Sequence, residues 1–189
     1  MNLERYIQIY DNVLEPEAIS SLIKWCNQQN FEEATVGNNQ QNKKIRDAKV
    51  LSLFNWSDKS KTKIHWCNLL KSIIWDAMIF YSKTNYTATN NLVMQEMNDL
   101  SVLKYETGGH YKIHTDHYKT NPRMLSAILL LNNDYKGGEL KFFYPLGELM
   151  KEIEVIPGRL IIWPSTFLYP HKIEPILEGT RYSIISWAL

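Results

Sequence analysis

The sequence predicts an α+β fold that is mainly β, a barrel or sandwich of short strands with a helical buttress before it. Apolar residues recur at helical spacing in two segments of the first half, whereas short strands and turns fill the chain from Leu92 onward. The run Leu125 to Leu131 is nearly all apolar, which is typical of a strand buried on both faces. A chain of 189 residues with 44% hydrophobic and 22% charged residues suits one domain, 1–189, with a sizeable core.

The first half carries the helical pattern. Tyr6 to Tyr10 alternates and predicts an edge strand. A helix is predicted over Glu15 to Asn30, with Pro16 near its start, where a missing backbone N–H costs little. A second and longer helix is predicted over Ser57 to Tyr81, whose broad apolar stripe indicates a core-facing surface. These helices would form the buttress, within residues 1–91.

Between the two helices, the segment Glu32 to Asp47 has no hydrophobic period. It is polar and rich in Gly, Asn and Gln around Gly37 to Asn42, so the sequence predicts a long mobile loop. Loops of this length inside compact domains are usually functional lids or disordered insertions. We expect Glu32 to Lys49 to be a lid that orders over a substrate, with Arg46 and Lys49 available to contact it. The alternative is a surface insertion without a role.

The second half, residues 92–189, is interpreted as a succession of short strands with close turns. Arg123 to Asn132 is the buried strand, Asn132 to Gly138 is a turn, and Pro157-Gly158 is a tight turn. Val93 to Glu96 is expected to pair with the strand that follows it. The remaining predicted strands are Asp99–Glu106, Tyr111–Asp116, Glu139–Tyr144, Glu152–Ile156, Arg159–Trp163, Pro170–Glu174 and Arg181–Ala188.

The most informative residues for chemistry are His114 and Asp116. Side chains two apart on a strand point to the same face, so this pair presents an imidazole and a carboxylate side by side. An H-x-D pair alone is common and usually has no function. The best-placed third ligand is His171, and two histidines with one carboxylate on one face is the arrangement of non-heme Fe(II) oxygenases. By the same spacing, His110 and His117 are expected near the site but not as ligands.

A carboxylate clamp is predicted beside the metal ligands. Arg181 and Ser183 also alternate on one strand, so they share a face. An arginine inside a barrel needs an anion, because an unpaired buried charge is very costly, and the planar guanidinium suits a carboxylate. Tyr105 offers a hydroxyl to the same anion.

Composition excludes some classes of partner. The net charge of +1 gives no general attraction to nucleic acid or membranes. The start of the chain has no apolar signal core, and no apolar run approaches the length of a membrane span. Cys26 and Cys67 lack neighbours at ligand spacing, so reduced thiols and a cytoplasmic protein are expected.

An ordered set of short motifs in Leu100 to Leu189, about half the chain, resembles the prolyl 4-hydroxylase-type branch of the Fe(II)- and 2-oxoglutarate-dependent dioxygenases. Each motif is weak alone, but the order is highly specific. The matching residues are Tyr105, Gly109, Tyr111, His114-Thr115-Asp116, Arg123, Leu131-Asn132, Gly137-Gly138-Glu139-Leu140, Pro157-Gly158, Pro164-Ser165, His171, Pro175, Gly179, Arg181 and Trp187.

The resemblance implies a double-stranded β-helix core, a jelly roll of the cupin-like type. It implies that 2-oxoglutarate is decarboxylated to succinate and CO2 while a C–H bond of the prime substrate, a peptidyl proline, is hydroxylated. The implied co-reactants are Fe(II), 2-oxoglutarate and O2, with ascorbate as an accessory. The implied roles are Fe(II) binding by His114, Asp116 and His171, 2-oxoglutarate binding by Arg181, Tyr105 and Ser183, and substrate binding by Tyr111, Arg123, Trp187 and Arg46.

Two departures and several alternatives remain at this point. Many members have a lysine where Arg181 stands, although an arginine is also used in the wider superfamily. Leu130 stands where some related hydroxylases have a second tyrosine for the co-substrate. The protein could instead be a non-catalytic module that binds metal or a 2-oxo acid. The prime substrate could also be a small molecule or a nucleic-acid base, although a peptide or protein partner is expected. Both a monomer and a dimer are compatible with the sequence.

Overall fold

A computed structural model describes residues 2–37, 40–54, 60–86, 94–120 and 122–189. Two helices and fourteen strands follow a short 3₁₀ helix at Leu3–Tyr6 within these ranges. The helices are α1 (Pro16–Cys26) and α2 (Lys61–Asn85). The strands are β1 (Gln8–Tyr10), β2 (Glu32–Glu33), β3 (Arg46–Asp47), β4 (Lys49–Ser52), β5 (Met97–Tyr105), β6 (His110–His114), β7 (Leu125–Leu130), β8 (Lys136–Gly137), β9 (Leu140–Phe143), β10 (Leu149–Ile153), β11 (Leu160–Pro164), β12 (His171–Ile173), β13 (Ile176–Glu178) and β14 (Arg181–Ala188).

The strands form two facing antiparallel sheets, and this double-stranded β-helix confirms the predicted fold class. The larger sheet has the order β1-β11-β7-β14-β5-β4-β2, and the smaller has the order β10-β9-β12-β6-β3. Neighbouring strands such as β5 and β14 are far apart in sequence, so the fold brings distant residues into register. β8 and β13 form a separate short pair.

The central strand β7 separates two apolar cores. All of its residues are buried, as the apolar run predicts. Its alternate side chains Leu125, Ala127 and Leu129 contact the core that the large sheet shares with α1 and α2. Ile128 and Leu130 contact the core between the two sheets, where the functional residues lie.

The helices cover the outer face of the large sheet. α1 begins at Pro16 and buries Ile19, Leu22 and Cys26 on one face, but it ends four residues earlier than the predicted Asn30. α2 starts after Ser60, whose side chain caps the helix by accepting the Lys63 N–H, and continues to Asn85 instead of Tyr81. The first predicted residues of this helix, 57–59, lie outside the described part of the chain.

Three details of the predicted second half are wrong. Residues 94–96 form no strand, and β5 pairs with β14 and β4 instead of a preceding hairpin partner; residue 93 is outside the described ranges. β10 covers Leu149–Ile153, so it begins before the predicted Glu152. The predicted turn over 132–138 contains the short strand β8. Pairing with strands far along the chain decides the structure of β5 and β8, whereas β10 pairs with the adjacent β9.

The prediction of one long loop between the helices is also wrong, because the segment from Glu32 to Lys49 contains short strands. β2 pairs with β4 at the edge of the large sheet, and β3 pairs with β6 at the edge of the small sheet. The segment therefore passes from one sheet to the other. Strands of two residues are too short to give the sequence a period. Residues 38–39, inside the Gly/Asn-rich part, are not among those described.

Two further observations concern membrane-spanning helices and the state of the cysteines. Among the helices that the structure describes, none is both long and apolar enough to cross a membrane. Cys26 and Cys67 are both buried free thiols.

Candidate active site

Three side chains converge at one end of the space between the sheets. His114 ends β6 and His171 begins β12, and the two residues are register partners, while Asp116 follows two residues after His114. His114 Nε2 lies 3.6 Å from Asp116 Oδ1, and His171 Nε2 lies 3.5 Å from Asp116 Oδ2. Among the described residues, this is the one group of three or more possible metal-ligating side chains of His, Cys, Asp or Glu, with ligand atoms within 4.8 Å of one another.

Hydrogen bonds fix which imidazole nitrogen each histidine presents. His114 Nδ1 donates to the Lys112 carbonyl at 2.8 Å, and His171 Nδ1 donates to the Tyr169 carbonyl at 3.0 Å. Because the carbonyls can only accept, Nδ1 carries a proton in both rings, and Nε2 is the atom that faces Asp116. Such backbone contacts are the usual way to orient metal-ligating histidines.

The electrostatics of the triad suit a divalent cation. Burial alone would raise the pKa of Asp116, but His171, His114 and the Ser126 hydroxyl outweigh it and hold this pKa below its ordinary value. Burial and His114 lower the pKa of His171 to about 4, against the opposing effect of Asp116. Near neutral pH, Asp116 is therefore ionised and His171 has a free lone pair for a metal.

Two buried serines hold the carboxylate of Asp116, and sequence reasoning did not find this role. Ser126 Oγ donates to Asp116 Oδ2 at 2.7 Å, and Ser165 Oγ lies 2.7 Å from Ser126 Oγ. Because the Ser126 proton is committed to Asp116, Ser165 donates to Ser126. The signal in the sequence was a single hydroxyl within the apolar strand β7.

We expect Ser126→Ala to weaken metal binding by about 10- to 100-fold, because partners that orient a ligand contribute affinity of this order. The measurement is a titration of the purified protein with Mn(II) or Fe(II). The matched control is Ser186→Ala, which removes a buried hydroxyl that donates to the Asp99 carbonyl. Equal metal affinity in Ser126→Ala and the parent protein would contradict the positioning role.

The predicted clamp residues lie next to one another. Arg181 is 1% exposed, and its Nη1 donates to Ser183 Oγ at 2.9 Å. Its guanidinium carbon lies 5.5 Å from the ring centroid of Tyr105, its register partner on β5. The Nε–H has no hydrogen-bond partner. Within the described part of the chain, no carboxylate pairs with Arg181, so a buried cation lacks the anion that it requires.

A cavity of about 630 Å³ joins the triad to the predicted substrate residues. Tyr111 stacks on His114 with 3.6 Å between ring centroids, and the Arg46 guanidinium lies 4.8 Å from the Tyr111 centroid. On another wall, the Arg123 guanidinium lies 3.4 Å from the centroid of Trp187. All four residues and Tyr105 line the cavity, whereas Arg181 and Ser183 are not among its lining residues. His110 and His117 are outside the triad, as expected.

Asp99 also lines this cavity and was not singled out in the sequence. It is the register partner of Trp187, and its Oδ1 accepts from Ser101 Oγ at 2.9 Å. Burial raises its pKa, an effect that the positive charges of Arg123 and Arg46 reduce. The cavity therefore has two arginines and one acid, Asp99, in addition to the His-Asp-His triad.

Residues 100–189 match the family model of the 2OG-Fe(II) oxygenase superfamily. This region, just under half of the chain, is therefore similar to members of that superfamily. Its fold and its His-Asp-His group are those that the sequence resemblance implies, and together they indicate dependence on Fe(II) and 2-oxoglutarate.

Relatives with similar sequences are PKHD-type hydroxylases. The chain is 26% identical to one from Crocosphaera subtropica over 186 residues, which are 94% of this chain and 75% of that protein. It is 33% identical to one from Synechococcus sp. strain CC9902 over 99 residues, 50% of this chain and 43% of the relative. The match to the second relative thus spans less than half of its length.

Solved structures share the fold of the whole chain. A Trichoplax adhaerens prolyl hydroxylase, in complex with a peptide fragment of the hypoxia-inducible factor oxygen degradation domain, has a TM-score of 0.79 and 19% identity over 100% of this chain and 87% of its own. A Pseudomonas putida prolyl-4-hydroxylase has a TM-score of 0.74 and 19% identity over 97% of this chain and 92% of its own.

Proposed function

We propose that this oxygenase hydroxylates a proline residue within a peptide and couples the reaction to 2-oxoglutarate. The balanced reaction takes one O2, one 2-oxoglutarate and one substrate C–H bond, and gives succinate, CO2 and a C–OH group. The observation that carries the proposal is one cavity that contains the His-Asp-His triad and, beside it, a chamber lined by Arg46, Tyr111, Arg123 and Trp187.

The triad residues would hold Fe(II) through His114 Nε2, His171 Nε2 and a carboxylate oxygen of Asp116. When bound, the iron supplies the activation of dioxygen for attack on a C–H bond. The chain's own contribution is to fix three ligands on one side and to leave the opposite side open. The negative charge of Asp116 would partly neutralise the ion, and the hydrogen bond from Ser126 holds Oδ2 of Asp116 in place.

Arg181 would bind the distal carboxylate of 2-oxoglutarate. The supporting observation is the buried guanidinium without an acidic partner among the described residues. A carboxylate would supply the missing charge, and the fork of the guanidinium suits its two oxygens. Tyr105, on the inner wall of the cavity, would contact the same co-substrate, and Ser183 would orient Arg181.

The chamber beside the triad suits a prolyl ring. Tyr111 and Trp187 give the cavity aromatic walls against which an apolar ring can pack, and proline brings no backbone N–H that must be satisfied there. Arg46 and Arg123 would donate to peptide carbonyls on either side. The peptide bound to the Trichoplax prolyl hydroxylase and the names of the hydroxylase relatives also support a peptide substrate.

The remaining features of the proposal concern the whole protein. We infer a single domain, 1–189, with ascorbate as a reductant that keeps the iron ferrous. A cytoplasmic location is proposed from the two buried free thiols, since neither forms a disulfide. The peptide-bearing partner would approach the end of the barrel where Glu32 to Lys49 passes between the sheets, and this segment would act as a lid.

We expect Arg46→Ala to raise the KM for a proline peptide by about 10-fold or more, because a hydrogen bond from a charged donor contributes roughly 1.5–3 kcal/mol. Turnover of 2-oxoglutarate without peptide should remain. Arg5→Ala is a matched control, since Arg5 stacks on Tyr6 in the N-terminal 3₁₀ helix. An unchanged KM in Arg46→Ala would exclude β3 from the substrate site.

The experiment that tests the function incubates the purified protein with Fe(II), ascorbate, 2-oxoglutarate and a library of proline-containing peptides. Succinate is measured, and mass spectrometry records the gain of one oxygen atom by a peptide. Succinate together with an oxidised proline supports the proposal. Protein that binds iron and 2-oxoglutarate but forms no succinate with any peptide, amino acid or nucleic-acid substrate would instead be a non-catalytic binding module.

A further inference from the structure

Arg181 has a third polar neighbour besides Tyr105 and Ser183, the side chain of Tyr135. Tyr135 lies in the connection between β7 and β8, and its hydroxyl is buried without a hydrogen-bond partner. Burial raises the pKa of Tyr135, and both the positive charge of Arg181 and its hydrogen-bonding contact with the hydroxyl oppose the shift, so the two groups are neighbours. The Arg181 Nε–H is also buried without a partner.

Two glycines create the space in which these side chains lie together. Gly138 has a φ of +71°, and a Cβ added there would lie 3.1 Å from Tyr135 Cε2 and 3.2 Å from Arg181 Cδ. The same Cβ would lie 2.3 Å from Ile176 Cδ1, which is too close for any real contact. A Cβ at Gly179 would lie 3.1 Å from Tyr135 Cβ. Both positions therefore require glycine if the tyrosine ring is to pack beside Arg181.

The Arg181 Nε–H and the Tyr135 O–H are two buried donors without an acceptor. The Tyr135 oxygen can accept from Arg181, but its own proton then still needs an acceptor. A buried donor without a partner is costly, so this arrangement indicates a group that supplies acceptor oxygens. The neighbouring position on β7 cannot supply them, because Leu130, the register partner of Ser183, is apolar. A carboxylate has two oxygens and accepts from both donors at once.

We propose that the Tyr135 hydroxyl donates to the distal carboxylate of 2-oxoglutarate and, with Arg181, completes the binding site for that end of the co-substrate. The proposal rests on the proposed function, since it requires that 2-oxoglutarate binds. The hydroxyl would come from Tyr135 in the turn before β8. Leu130 on β7 has no hydroxyl to offer.

The test compares Tyr135→Phe with the parent protein by calorimetric titration, with Mn(II) in place of iron so that no turnover occurs. We expect 2-oxoglutarate to bind about 10-fold or more weakly to Tyr135→Phe, because a hydrogen bond to a charged group contributes roughly 1.5–3 kcal/mol. Binding of 2-oxobutyrate, which lacks the distal carboxylate, should be the same in both proteins. Mn(II) affinity should also be unchanged.

A matched control is Tyr169→Phe, which removes a hydroxyl from the same core. Tyr169 Oη already donates to the Leu3 carbonyl at 3.2 Å, so its loss should reduce stability without a selective effect on 2-oxoglutarate. The thermal unfolding temperature of each variant, measured without ligand, reports whether the fold is retained. An equal loss of affinity for both 2-oxo acids would show an indirect effect and overturn the proposal.

Failure of this inference and failure of the proposed function give different results. If the parent protein prefers 2-oxoglutarate over 2-oxobutyrate and Tyr135→Phe keeps that preference, Tyr135 has no role while the function stands. If the parent protein shows no preference, the carboxylate site at Arg181 is wrong, and the role of Tyr135 is wrong with it.

Discussion

Asp116→Ala should abolish most iron binding, with a loss of affinity of more than about 100-fold, because it removes a ligand and not only a residue that orients one. The carboxylate is 4% exposed and lies within 3.6 Å of both Nε2 atoms, so no other described acid can replace it without rearrangement. Metal content after reconstitution and direct titration with Fe(II) under anaerobic conditions measure the effect.

The control for this variant is Asp99→Ala, which removes an acid from the same cavity but outside the triad. Its metal affinity should match that of the parent protein. An Asp116→Ala protein that keeps the parent's iron content would show that the ion binds elsewhere. Iron loss of the same size in Asp99→Ala would show that the effect reflects the charge of the cavity and not ligation.

Arg181→Ala should raise the KM for 2-oxoglutarate by about 30-fold or more while metal affinity stays the same. Removing one partner of a buried, hydrogen-bonded charge pair costs roughly 2–5 kcal/mol. Arg181 is buried beside Tyr105 and Ser183, and no acid pairs with it among the described residues, so the missing partner would be the co-substrate. Steady-state kinetics at varied 2-oxoglutarate and a separate Mn(II) titration distinguish the two effects.

Arg159→Ala is the matched control for a buried arginine. Arg159 donates from Nε and Nη2 to the two oxygens of Asp11 at 2.7 and 3.1 Å, so its charge is already compensated inside the protein. This variant should unfold at a lower temperature but keep the parent's KM for 2-oxoglutarate. A KM that does not change in Arg181→Ala would refute the role of Arg181 as the co-substrate clamp.

The triad could be predicted from the sequence because each of its residues lies in a short, recognisable motif. The two-residue spacing places His114 and Asp116 on one face of an extended segment, and register between β6 and β12 brings His171 opposite His114. The spacing of Arg181 and Ser183 follows the same rule on β14. Short ordered motifs were enough to find these residues, since each lies on or beside a strand of the core.

What the sequence did not predict depends on contacts between distant segments. The support of Asp116 by Ser126 and Ser165 joins three parts of the chain, and the one local signal, a hydroxyl within the apolar strand β7, does not identify its partner. Tyr135 lies in the turn between β7 and β8, where no strand or helix periodicity shows which way a side chain faces. The Glu32 to Lys49 segment forms strands only because the edges of both sheets offer partners to it.

The most direct test of the central claim follows the fate of isotopically labelled dioxygen. The purified protein is supplied with Fe(II), 2-oxoglutarate and a proline-containing peptide identified by its stimulation of succinate formation. The account predicts that succinate and hydroxylated peptide form in equal amounts, with one labelled oxygen atom in each. Succinate formation without labelled oxygen on any peptide would contradict peptidyl proline hydroxylation, and no 2-oxoglutarate consumption by the iron-loaded protein with any substrate would contradict the oxygenase activity itself.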